Sequence, residues 1–232
     1  MKCTRVVLLV LFLSVSLAAF SQSTLVSDRF NDLSDWMKVS GTWKVSSGRM
    51  VQTDLNETIA VATIPVRQSG EVMYEFDVRY VGGGEDDYAG FGFHMAVNSP
   101  SKGRSWGNGK SMLAWVTWDP NAYGWPGGFI QVYKSTAPVS MGLYPSGDIL
   151  KDGDRFPVNE EYLKYEYLEY TVPVKMSIDL DTGEGKFYDP FAPDEYYFPF
   201  DLGAPIPSGS YFSFRMNSVS LSIDNLKITK LD

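Results

Sequence analysis

The sequence predicts an all-β protein, a jelly-roll β-sandwich of two antiparallel sheets. Three observations carry this prediction. Beyond residue 21, apolar side chains recur with period two in short runs rich in Val, Ile, Phe, Tyr and Thr, each bounded by Gly, Pro, Asn or Asp. No long stretch holds a 3.6-residue period. Many of the runs alternate large apolar with polar residues, so each strand has one face to bury, and a second sheet is the natural cover.

Taken in order, residues 1–21 read as a signal peptide. Lys2 and Arg5 precede the apolar run "VVLLVLFLSVSLAAF", and small residues at Ala19 and Ser21 suit cleavage before Gln22. Residues 22–232 then form one domain, expected to be exported to a periplasm, cell surface or extracellular space, with bacterial export the best fit. No later stretch approaches the ~20 apolar residues of a membrane span. The single cysteine, Cys3, lies inside the signal, so the exported chain has no disulfide, thiol nucleophile or cysteine metal site. It must hold together by burial alone.

Weak strands are expected at "TWKVS", "RMVQT" and "TIAVATI" between 42 and 64. Strong ones follow at 71–81, 89–97, 111–118, 128–134, 172–180, 211–216 and 219–228. "DLDTGEGKFYD" reads as a hairpin turning at Thr182–Gly185. "NEEYLKYEYLEY" (159–170) is ambiguous: Leu163, Tyr167 and Tyr170 could share a helical face, while Tyr165 and Tyr167 alternate as in a strand. A strand or short insertion is the preferred reading.

The ends are more specific. The chain contains Asp28-x-Phe30, Trp36, Gly41-x-Trp43 and Gly48-x-Met50 near its start, and Ile223-Asp224-Asn225-Leu226-Lys227-Ile228 near its end. With the hairpin "VKMSIDLDTGEGKFYD", this pattern resembles the concanavalin A-like lectin/glucanase superfamily, which includes laminin-G-like domains. The resemblance covers nearly all of residues 22–232 and consists of fold residues, none of them catalytic. It implies a jelly roll with adjacent first and last strands, and a ligand on the concave sheet or in loops at its rim.

Formal charge is −8, and loss of Lys2 and Arg5 takes it to about −10. No Lys/Arg cluster interrupts this, so nucleic acid and anionic lipid are poor partners. Sandwich glucanases of the superfamily place carboxylates on one strand face as Glu-x-Asp-x-x-Glu. Here Glu75 and Asp77 fit the first two positions, but the third is Tyr80, so the proton donor is missing and no enzyme is expected, an unrecognised carboxylate pair being the least supported alternative. Glu75 and Asp77 read as solvent-facing, with Tyr74, Phe76 and Val78 inward. His94 is the only histidine, which with no cysteine makes a protein-held catalytic zinc improbable. Its alternation sets Phe91, Phe93 and Met95 towards the core and His94 with Gly92 and Ala96 on the other face, where a satisfied surface or half-buried histidine is expected. No metal ligands are assigned and no cofactor is expected; structural calcium is the one ion that the acidic loops 84–88, 151–154 and 179–184 leave open.

Four of the six tryptophans fall in "SWGNGKSMLAWVTWDPNAYGWPGG" (105–128). Alternation separates Leu113, Trp115 and Thr117 from Met112, Ala114, Val116 and Trp118, so Trp115 and Trp118 face differently. Trp115 is expected in the core. Trp118 ends its strand, Tyr123 and Trp125 lie in the loop that follows, and Trp106 in the loop before. Such rings either plug one end of the sandwich or form an open shelf for sugar C–H faces, with Arg104, Asn108, Asp119 and Asn121 near in sequence to bond hydroxyls. Trp36 and Trp43 read as structural. The leading expectation is a non-catalytic, lectin-like module stacking a neutral glycan on Trp106, Trp118, Tyr123 and Trp125. The alternative is a structural protein of the cell envelope, or of an extracellular filament or sheath, that uses the aromatic patch to dock another protein.

Overall fold

A computed structural model of the protein describes residues 22–84, 89–119, 127–137, 140–143, 156–157, 170–190, 196–206 and 208–231. Among them there is no helix; every regular element is a strand. The first sheet holds β1 (Ser23–Asp28), β3 (Trp43–Ser46), β4 (Arg49–Gln52), β6 (Glu71–Gly83), β12 (Val172–Asp179), β13 (Glu184–Tyr188), β14 (Tyr197–Asp201) and β16 (Val219–Leu231). The second holds β2 (Met37–Ser40), β5 (Ala60–Pro65), β7 (Gly90–Val97), β8 (Ser111–Asp119), β9 (Gly127–Ala137), β10 (Ser140–Leu143), β11 (Phe156–Pro157) and β15 (Tyr211–Asn217). All pairings are antiparallel, and β6 at the centre of the first sheet lies between β12 and β16. This is the expected jelly-roll sandwich. The ambiguous stretch 159–170 lies outside the described residues except for Tyr170, which is exposed.

Alternation chose the inner faces as expected. Tyr74, Phe76 and Val78 of β6 are buried against Phe91, Phe93 and Met95 of β7 and Phe212, Phe214 and Met216 of β15. Phe214 meets Phe212 and Phe76 edge-on at 4.9 and 5.0 Å, and Trp36 stacks on it at 5.5 Å. Aromatic pairs of this geometry add to the area they bury. The Tyr74 hydroxyl, buried among them, donates to Gln68 Oε1 at 2.5 Å, and burial raises its pKa.

The terminal motifs acquire physical reasons. Asp28 accepts from the Phe30 amide at 2.7 Å and the Trp36 indole N–H at 2.8 Å, fixing a turn in which Phe30 has φ 50°. Trp43 is buried and donates to the Ser40 carbonyl. Asn225 takes the left-handed φ of 53° at a β-bulge in β16, a conformation Asn tolerates. Its amide then reaches Asp77 at 2.7 Å. First and last strands pair, β1 with β16.

Two expectations shift. The β12–β13 turn closes at Leu180–Gly183, earlier than expected, because Gly183 (φ 88°) packs where a Cβ would meet the Ala204 carbonyl at 2.4 Å. Ala96 does not share the face of His94: a register irregularity gives it φ 50° and turns it into the inter-sheet core.

Candidate functional site

With Met112 and Ala114 packed between the sheets, Leu113 and Trp115 of β8 occupy the opposite face of the second sheet. That face is built in cross-strand rungs. One runs Thr63, Ser213, His94, Leu113, Tyr133 through β5, β15, β7, β8 and β9; the next runs Val61, Arg215, Gly92, Trp115, Gln131. Polar residues at alternate positions normally mark a wet face. Here His94 is 0% exposed and Arg215 1%, and Thr63, Ser213, Leu113 and Trp115 are buried as well. Trp115 is thus buried as expected, but outside the inter-sheet core. Gly90 and Gly92 make room for it: a Cβ on either would lie within 3.0 Å of its indole.

Part of the cover is the loop between β7 and β8. Asn98 and Lys110 close its neck by two hydrogen bonds, 2.8 and 3.1 Å. Inside it, Asn108 is only 1% exposed. Its side chain accepts from the Ser101 amide (3.0 Å) and donates to Ser213 Oγ (2.9 Å), which also pairs with Thr63 Oγ1. Asn108, expected to bond sugar hydroxyls, therefore anchors the loop to the sheet. Arg104 is exposed and pairs with Glu57 at 3.2 Å and with Thr58 Oγ1. Trp106 is 44% exposed, and its ring lies over the buried Arg215 guanidinium, 5.0 Å from centroid to Cζ, with Trp115 beneath at 5.7 Å.

Trp118 and Asp119 lie at the end of β8, where their backbones pair with Gly128 and Gly127. Asn121, Tyr123 and Trp125 lie outside the described residues. The structure therefore places Trp106 beside a buried cation, and Arg104 on the loop rim.

Arg215 went unnoticed in the sequence. Nε donates to Asn217 Oδ1 at 3.0 Å and Nη1 to the Trp106 carbonyl, while Nη2 is buried without a hydrogen-bond partner. Burial pushes its pKa down to about 10, opposed by Tyr133. No carboxylate among the described residues forms an ion pair with it. The available signal was an arginine in the polar register of a strand, between Ser213 and Asn217.

The tautomer of His94 follows from its neighbours. Ser111 Oγ has one hydrogen, given to the Asn108 carbonyl at 2.9 Å. It must accept from His94 Nδ1–H, also at 2.9 Å, which leaves a lone pair on Nε2. That Nε2 is buried without a partner. Burial, then the Arg215 charge, holds the imidazole well below its ordinary pKa of 6.5, so it stays neutral at neutral pH.

Glu75 and Asp77 sit on the outer face of the first sheet, Glu75 3.9 Å from Lys227 and Asp77 bonded to Asn225, while Tyr80 donates to the Gly83 carbonyl. Acidic loop 179–184 forms the β12–β13 turn; loop 151–154 and residues 85–88 lie outside the described residues. Among the described residues no group of three or more His, Asp or Glu is placed to hold a metal ion, and no helix is long and apolar enough to cross a membrane.

No protein-family model matches the chain, and no curated protein matches it in sequence. Solved structures share its fold. The Emp47p carbohydrate recognition domain superposes with a TM-score of 0.52 at 14% identity, over 88% of this chain and 93% of that one. The metal-free Emp46p carbohydrate recognition domain gives 0.51 at 14%, over 88% and 94%. Metal-free lectin I-B4 from Griffonia simplicifolia gives 0.51 at 12%, over 91% and 100%. The chain shares the two-sheet antiparallel jelly-roll fold of these structures.

Proposed function

We propose that the protein is an exported, non-catalytic carbohydrate-binding module that stacks a glycan on aromatic rings at the Trp106 rim of the second sheet. The observation that carries this reading is the Trp106 indole. It is large, 44% exposed, and braced over a buried guanidinium instead of tucked into the core. Its outer face is open to a sugar ring, whose C–H patches match an aromatic surface while its hydroxyls bond polar neighbours. Trp118, Tyr123 and Trp125 follow in the same stretch of chain and extend the surface in this reading, with Asp119, Asn121 and Arg104 as hydroxyl partners. Proteins of the same fold are carbohydrate recognition domains and a lectin, which supports a carbohydrate-binding role by analogy. The broken Glu75, Asp77, Tyr80 series supports binding over hydrolysis, and the acidic surface favours a glycan that is neutral along most of its length.

A glycan array probed with the purified chain, followed by tryptophan fluorescence titration, tests this. Binding that Trp106→Ala weakens at least tenfold is the expected result; silence across neutral and sparsely charged glycans would overturn it. A second reading, docking of another envelope protein, draws on exposed Tyr196 and Tyr197 at the edge strand β14. Self-association or capture of an envelope protein, without glycan binding, would favour it.

A further inference from the structure

Arg215 and His94 form a buried polar layer that stacking at Trp106 does not use. They are diagonal neighbours on one face: His94 pairs with Ser213, and Arg215 lies two residues along β15, which sets them about 7–8 Å apart at the backbone. Each has one nitrogen without a partner, Nη2 of Arg215 and Nε2 of His94. Among the described residues the other guanidinium partners are the Asn217 amide oxygen, the Trp106 carbonyl, two indole faces and Met141 Sδ at 4.0 Å, with Tyr133 acting on its charge from β9. This buried cation, with a donor left over, has no anionic partner among the described residues. A planar oxyanion is the complement, since one oxygen can accept from Nη2 while the other faces the imidazole.

The part of the cover formed by the β7–β8 loop ends in an accessible tip. Trp106 belongs to the loop tip 102–106, which alternates exposed and half-buried residues, whereas Gly107, Asn108 and Gly109 are buried and anchored. Gly103 has open space around it. Lifting the tip breaks the Trp106 carbonyl bond and takes its indole off the guanidinium, leaving the Asn108 anchor in place.

We propose that Arg215 and His94 receive the carboxylate of an acidic sugar, a single uronate-type residue within a mostly neutral glycan, admitted when the Trp106 tip lifts. The proposal rests on the glycan-binding reading and names the sugar class that this face selects. Arg215 accounts for recognition at neutral pH. Loading the anion cancels the Arg215 charge felt by His94 and favours a proton on Nε2, which then donates to the second carboxylate oxygen. Among the described residues the titratable groups facing His94 are Arg215 from β15 and Tyr133 from β9; β5 and β8 bring Thr63, Leu113 and Trp115, and Lys102, Arg104 and Lys110 of the covering loop are exposed.

His94 is the only histidine in the chain, so its imidazole resonances report the site without ambiguity. The test titrates the full chain with methyl β-D-glucuronide and with methyl β-D-glucoside, which differ only at the carboxylate, following those resonances by NMR. It then compares binding of glucuronoxylan before and after chemical reduction of its carboxylates. The glucuronide should move the His94 signals and raise their titration midpoint, and reduction should weaken polymer binding at least tenfold. Binding of both polymers alike, with equal effects of the two glycosides, would overturn the carboxylate site and leave the stacking reading intact. An equal shift from sodium sulfate would show an unselective anion hole and also overturn it. If neither polymer binds and His94 is unmoved, both readings fall. Arg215→Met should abolish the preference; should that variant not fold, the wild-type glycoside pair still decides.

Discussion

Acidification should weaken this fold through one side chain, His94. Folded, the imidazole is buried and sits near Arg215, so its pKa lies well below 6.5; unfolded, it titrates near that ordinary value. The unfolded chain therefore takes up the proton first, and stability is complete above pH 6.5 and lost as the pH falls through it. With the folded ring still neutral, the loss is RT ln(1 + 10^(6.5 − pH)): ~0.1 kcal/mol at pH 7.5, ~0.4 at pH 6.5 and ~2 at pH 5. Urea unfolding at 25 °C, followed by tryptophan fluorescence at several pH values, measures it. Carboxylates also titrate near the lower end, so the comparison is with His94→Gln, which retains an amide to pair with Ser111. The difference between wild type and variant should grow as the pH falls from 7.5 to 5, by at most about 2 kcal/mol. Parallel pH dependences would refute the claim that His94 is neutral in the folded state.

Other outcomes follow from the covered face. Asn108→Ala strands the Ser101 amide and removes the bond to Ser213, so it should cost about 1–3 kcal/mol in denaturant melts and loosen the loop enough to shift Trp106 emission. Gly92→Ala puts a Cβ 2.2 Å from the Ala114 carbonyl and against Trp115; it should cost about 3 kcal/mol or more by the same assay, whereas Gly48→Ala, with open space but φ 72°, should cost about 1.

The fold was legible because period-two alternation states which residues share a face. The same alternation is silent on which face is wet. Tyr74, Phe76 and Val78 were readable as core since their partners on the strand, Glu75 and Asp77, are charged. On β7 and β15 the second face is Gly92 with His94, and Ser213 with Arg215, a composition that reads as solvent-facing. The β7–β8 loop, anchored through Asn108, is part of what makes it interior, and that docking links residues 105 positions apart in sequence. His94, expected at the surface or half-buried, is fully buried for that one reason: a local pattern cannot register a long-range lid. Trp106 was legible as a loop indole, and its brace, Arg215, was not.

Whether Arg215 is a strut or a receptor can be decided by removing its charge. A guanidinium buried without a counter-charge carries a desolvation cost of several kcal/mol, only partly offset by two neutral acceptors and two indole faces. Those bonds contribute about 1 kcal/mol each. Arg215→Met keeps the stem packed between Trp106 and Trp115, loses both bonds and the ring contacts, and removes the buried charge. The terms nearly cancel, so the variant should unfold within about 1 kcal/mol of wild type. A loss of about 3 kcal/mol or more would make the arginine a structural strut whose bond to the Trp106 carbonyl holds the loop down. Unchanged stability would mean that the fold does not need the charge, and that its presence in the interior has to be explained by something it binds.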